Sequence, residues 1–128
     1  MKGNLLDTHT FLWYLAGSDQ LSSKAKDIIE KYPDQNFISI ASLWEIAIKA
    51  SLDKLTIHGN FNDLQDRIIA NGFQIIPIEF EDTVLLTQLP FHHRDPFDRL
   101  IIAQSINNKL QLISKDSYFH NYNIKIIW

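Results

Sequence analysis

Cysteine is absent from the 128 residues. Its absence removes disulfides, thiolate nucleophiles and cysteine-based zinc sites together, and it fits a reducing compartment. Glycine and proline number four each, and no tract rich in proline, glycine or serine divides the chain. With no repeat or low-complexity segment either, we expect a single domain over residues 1–128. No apolar run approaches the ~20 residues of a membrane helix. The start Met1-Lys2-Gly3-Asn4-Leu5-Leu6-Asp7 has too few apolar residues before an acid to form a signal-peptide core. The expectation is a cytoplasmic chain with no membrane partner. Positive charge is also scarce: 12 Lys and Arg stand against 15 Asp and Glu, a formal net charge of −3. Nucleic-acid binders usually carry a basic face, so charge alone argues against such a partner unless bound cations offset the carboxylates.

Apolar residues make up 45% of the chain, enough for an ordinary core. Short apolar runs alternate with longer segments of helical period. Strands are expected at Asn4–Asp7, Asn36–Ile40, Gln74–Ile78, Leu110–Ser114 and Ile124–Ile127. Helices are expected near Thr10–Leu15, Ser23–Tyr32, Ala41–Ser51, Asn62–Asn71, Asp82–Leu89 and Pro96–Asn108. This order predicts an α/β domain with a mainly parallel sheet of about five strands. The strand segments are rich in Ile and Leu without polar alternation, as in sheets covered on both faces. Ser22 or Ser23 suits a helix N-cap, Gly72 a helix stop, and Asp95-Pro96 the cap and first position of the last helix.

Four acids fall where chemistry is favoured in such a domain. Asp7 ends the first strand and Asp116 follows the fourth. Glu45 and Asp98 lie early in helices that leave the same edge. In open parallel sheets, ligands bind beyond the carboxyl ends of the strands, near the point where strand order reverses. Carboxylates gathered there suit magnesium, a hard cation that takes oxygen ligands and retains waters. Each acid also has an ordinary structural use. Asp7 can cap the next helix, Asp116 can start a turn, and Asp98 can favour the helix dipole beside Asp95. Glu45 can close a capping box with Ser42 or pair with Lys49, worth ~0.3 kcal/mol. Glu45 lies in a helix that is apolar nearly all round, so it is expected to be buried, and a buried acid needs a partner or a metal.

The remaining polar residues are weaker candidates. His92 and His93 are read as loop residues, because magnesium prefers oxygen ligands. Arg94, Arg99, Lys49, Lys54 and Lys115 are possible phosphate contacts. Arg99, next to Asp98, is the foremost, with holding a carboxylate as its other use. Phe11, Leu12, Trp13, Tyr14 and Leu15, with Trp44, supply core and a surplus suited to a dimer face or a partner groove. Phe91, Phe97, Phe119 and Tyr122 are packing residues first and base-stacking candidates second.

The segments Leu5-Leu6-Asp7-Thr8-His9, Ser42-Leu43-Trp44-Glu45-Ile46-Ala47-Ile48-Lys49, Leu89 through Gln104 with its core Arg94-Asp95-Pro96-Phe97-Asp98-Arg99, and Ile113-Ser114-Lys115-Asp116 together resemble the PIN-domain ribonucleases, the VapC-like toxins of bacterial toxin–antitoxin pairs. The resemblance runs in order along essentially the whole chain. It implies a three-layer α/β/α sandwich and a Mg2+- or Mn2+-dependent endoribonuclease that cuts structured RNA such as tRNA or rRNA. It also implies a cognate antitoxin and a homodimer. Asp7, Glu45, Asp98 and Asp116 match the family's acidic set as metal ligands and catalytic residues. Arg99, Lys49 and Ser114 become substrate contacts, and Asp95 an extra acid that caps a helix first. Ser39 and Ser114 resemble hydroxyl residues near the family's metal site, with ordinary strand-end roles as the simpler reading. The alternatives are an inactive PIN-like binding module and, less well matched, an aspartate-dependent phosphatase or receiver. A phosphatase would want an acid where His9 stands, and a receiver a phosphoacceptor near Pro77-Ile78-Glu79.

Overall fold

The computed structural model describes residues 3–57 and 59–128; Met1 and Lys2, the start of the segment judged against a signal peptide, lie outside them. Five parallel strands form one sheet: β1 (Asn4–Leu6), β2 (Asn36–Ser39), β3 (Gln74–Ile76), β4 (Gln111–Ile113) and β5 (Ile126–Ile127). Their order is β3-β2-β1-β4-β5, and every neighbouring pair is parallel. The chain therefore steps from β1 outward to β3, then returns to the other side of β1. The reversal lies between β1 and β4, where Leu6 pairs with Ile113.

Six helices cover the sheet: α1 (Thr8–Ala16), α2 (Ser23–Lys31), α3 (Ile40–Ser51), α4 (Leu64–Ala70), α5 (Phe80–Leu86) and α6 (Pro96–Asn108). Alternation along the strands supplies both cores. Leu6, Ile38 and Ile113 point to a cluster with Phe11, Ile29, Ile46 and Ile68 from α1 to α4. Leu5 and Leu112 point the other way, to Ile101 and Ile102 of α6 and to Phe119. The result is the expected three-layer α/β/α sandwich. Among the described residues no helix is long and apolar enough to cross a membrane.

All five strands are shorter than expected; β1 stops at Leu6 and β2 at Ser39, where the chain turns directly into a helix. Asp7 caps α1 and Ser39 caps α3, each accepting from a backbone amide of the following turn. The capping box anticipated for Ser42 and Glu45 does not form, since α3 already begins at Ile40. Ser22 and Asp95 cap α2 and α6 as anticipated, with Pro96 at the first position. Helix α5 starts two residues early, because Asp82 accepts from the Glu79 amide and closes the first turn.

At the sheet edge away from these caps, buried amides tie three strands together. Asn4 donates to Asn36 at 2.9 Å, and Gln111 donates to Asn4 at 2.5 Å. These bonds between strands fix the register, and the Asn36 amide in turn donates to the Ile29 and Tyr32 carbonyls at the end of α2. Gly3 precedes this ladder with φ +140°; a Cβ on it would meet the Gln35 carbonyl oxygen at 2.7 Å.

Candidate active site

Because strands end where helices begin, the carboxyl edge of the sheet collects helix caps, and three of them are aspartates. Asp7 accepts from the Thr10 amide at 2.9 Å through Oδ1. Its Oδ2 accepts from Ser114 Oγ at 2.5 Å. Asp116 caps the short 3-10 turn Ser117–Asn121 through Oδ1, bonded to the Tyr118 amide at 2.9 Å. Asp95 spends Oδ1 on the amides of Phe97 and Asp98. For Asp7 and Asp116, capping and presentation in the cleft are compatible: one oxygen serves the helix, and the other turns inward.

These residues line a cleft of about 310 Å3 together with Thr8, His9, Trp13, Glu45, Lys49, Asp98 and Lys115. All four acids singled out in the sequence are present. Glu45 is buried, as the apolar surroundings of α3 require, and both its oxygens are used. Thr8 Oγ1, itself 2.9 Å from Ser42 Oγ, donates to Oε1 at 2.8 Å, and Lys49 Nζ lies 2.9 Å from Oε2. Asp98 stands in the first turn of α6 with Oδ2 2.9 Å from His93 Nε2.

The electrostatics follow from crowding like charges in a partly dry cleft. Burial, then the charges of Asp95, Glu45, Asp7 and Asp116, push the Asp98 carboxyl up to about 8. Burial also raises Asp7, against the pull of its bonds to Ser114 and Thr10 and the nearby His9. Desolvation and like-charge repulsion both disfavour the ionised form. A hard dication among these oxygens would reverse both effects, so the donor set fits magnesium or manganese.

A family model for the PIN domain matches residues 5–125. The chain belongs to the PIN-domain family. No curated protein matches it. Among solved structures, this PIN domain is similar to a chain of DNA-bound VapBC from Salmonella typhimurium, at 14% identity and TM-score 0.75, covering 99% of this chain and 98% of that one. It is similar to a chain of VapBC2 from Rickettsia felis bound to a promoter DNA fragment, at 16% identity and TM-score 0.71, covering 97% and 96%. A toxin–antitoxin complex from Klebsiella pneumoniae gives 19% identity and TM-score 0.68 over 98% and 97%. At these identities the likeness establishes a shared fold.

Against two acids of the PIN-domain cleft stands a histidine that the sequence pattern left as a loop residue with no part in the site. His93 Nε2 lies 2.9 Å from Asp98 and 3.2 Å from Asp116, and the ligand atoms of these three residues all lie within 4.8 Å of one another. The Asp95 amide donates to His93 Nδ1 at 3.3 Å. An accepting Nδ1 puts the neutral ring's proton on Nε2, so His93 donates toward both carboxylates. Nothing in the local pattern separates it from His92, which faces Tyr122 instead. Thr8 was also missed; its only sequence signal is a hydroxyl directly after a strand-end acid.

Other expectations need correction. Arg99 is not exposed to a phosphate. It is buried, and its guanidinium donates to the carbonyls of Leu86, Leu89, Pro90 and His93. It staples the segment before α6 and reaches no carboxylate in that role. Ser114 is buried and orients Asp7, while Ser39, also buried, donates to Gln104 at 2.5 Å. Lys49 and Lys115 do line the cleft, and Lys54 and Arg94 are exposed outside it. Phe119 and Tyr122 are buried packing residues. Trp44 remains largely exposed, edge-on to Phe97 at 5.1 Å.

Proposed function

We propose that this PIN domain is a divalent-cation-dependent endoribonuclease of the VapC-like toxin type. The supporting observation is the cleft at the β1/β4 reversal, where Asp7, Glu45, Asp98 and Asp116 meet, and where burial, then the neighbouring acids, push Asp98 up to about 8. Asp7, Asp98 and Asp116 would hold Mg2+ or Mn2+, with Glu45 completing the set. Bound there, the cation supplies charge neutralisation at a phosphodiester and a lowered pKa for the attacking water.

The chain's own residues prepare that site. Ser114 and the Thr10 amide fix Asp7, Thr8 and Lys49 fix Glu45, and His93 spans Asp98 and Asp116. Lys115, on the cleft wall, is placed to meet a backbone phosphate and offset part of the acidic charge. The similar structure from Klebsiella pneumoniae is a toxin–antitoxin complex. By that likeness we expect a cognate antitoxin as protein partner, a second copy of this chain in a homodimer, and tRNA or rRNA as substrate in the cytoplasm.

The decisive experiment maps RNA ends after brief expression, beside Asp98→Asn. Cleavage leaving 5′-phosphate and 3′-hydroxyl ends, lost in the variant and in chelator, is the expected result. Ends bearing 2′,3′-cyclic phosphate, or undiminished cleavage by the variant, would overturn the proposal.

A further inference from the structure

Beside the acidic cleft, joined to it by the contacts of His93 with Asp98 and Asp116, lies a second pocket of about 310 Å3 lined by Phe91, His92, His93, Arg94 and Tyr118. Its size is at the small end of ligand pockets. We propose that this pocket seats one unstacked nucleobase of a single-stranded RNA segment, next to the bond being cut. The inference rests on the nuclease reading and adds the feature of the substrate that is recognised.

The first ground is exposure without looseness. Phe91 is 75% exposed and Tyr118 59%, unusual for large rings at a packed edge. Yet each ring of the pocket is anchored from behind. Phe91 lies over the Arg99 guanidinium at 4.1 Å, and Arg99 is fixed by four carbonyls. His92 meets buried Tyr122 edge-on at 5.2 Å. Tyr122 in turn donates to the Pro90 carbonyl at 2.8 Å and accepts from the His93 amide at 2.9 Å. Tyr118 tilts against His93 at 5.4 Å, and its amide is bonded to Asp116. Rings held in place lose little freedom on binding, which favours stacking.

The second ground is charge. A chain of net charge −3 gains little from general phosphate attraction. Stacking supplies affinity that does not depend on a basic surface, and Arg94 on the pocket wall adds a cation for the flanking backbone. Bases within a duplex have no free face, so the target is a loop, bulge or single strand. The lining mixes aromatic rings with the polar groups of His92, His93 and Arg94, which suits a flat heterocycle better than a continuous apolar protein surface.

The test uses the full chain and a short single-stranded RNA carrying 2-aminopurine, with binding followed in calcium and cleavage in magnesium. Stacking is worth about 1–3 kcal/mol per base on alanine substitution, or roughly 5- to 150-fold. Phe91→Ala and Tyr118→Ala should each weaken binding within that range, abolish the fluorescence quench, and raise KM. Phe91→Trp and Tyr118→Phe, which preserve an aromatic face, should restore the quench. Phe80→Ala removes a 78% exposed ring outside the pocket and should leave binding unchanged. Unaltered binding and quench in Phe91→Ala and Tyr118→Ala would overturn the subsite and leave the nuclease reading standing. A wild-type chain that takes up no divalent cation and cuts no RNA would overturn both.

Discussion

Asp98→Asn should stabilise the metal-free protein. The carboxyl is raised from 3.8 to about 8 by burial and by four neighbouring acids. Below 3.8 it is protonated in folded and unfolded chains alike and contributes nothing. Between 3.8 and about 8 the unfolded chain has released the proton while the folded chain retains it, so stability falls as pH rises across that window. Above about 8 the penalty is complete. At pH 7 it has a ceiling of about 4 kcal/mol; relaxation of the cleft and loosely held ions reduce it, and we expect about 1–3 kcal/mol. Asparagine removes the charge and the titration, and its carbonyl can still accept from His93. In chelator, thermal unfolding of the variant should exceed wild type by roughly 3–10 °C near pH 8, with the gap closing toward pH 4. Millimolar magnesium should then raise the melting temperature of wild type more than that of the variant, since only a ligand of the native state stabilises it. A variant less stable than wild type at pH 8 in chelator, or a gap independent of pH, would refute the electrostatic account of this cleft.

Other outcomes follow from single contacts. Arg99→Ala should cost roughly 2–4 kcal/mol in urea unfolding, because four carbonyls lose a charged donor and Phe91 loses its support. His93→Ala should lower both divalent-cation affinity by calorimetry and RNA cleavage, whereas His93→Gln, which can still donate, should recover part of each. Gly3→Ala should destabilise by about 2–4 kcal/mol in thermal or chemical unfolding, since φ is +140° and the new Cβ would collide with the Gln35 carbonyl.

The sequence by itself determined the layer order, the parallel sheet and the positions of the four acids. Buried parallel strands need uninterrupted Ile and Leu, as in Leu5-Leu6 and Leu112-Ile113, and helices announce themselves by caps such as Ser22 and Asp95-Pro96. Both signals are local. Alternative uses for Asp7 and Asp116 proved compatible, because a carboxylate has two oxygens and in both residues one caps while the other is free for a second contact. Tertiary structure alone decided which nearby side chain contacts the acids of the cleft. His92 and His93 are adjacent and chemically alike, but only His93 reaches Asp98 and Asp116, since the Asp95 amide and Tyr122 orient it. Arg99 follows Asp98 directly and yet turns away from the cleft, into carbonyls of the segment before α6. Residues next to each other on a helix point about 100° apart, and only the packing of that helix determines which of them meets the site.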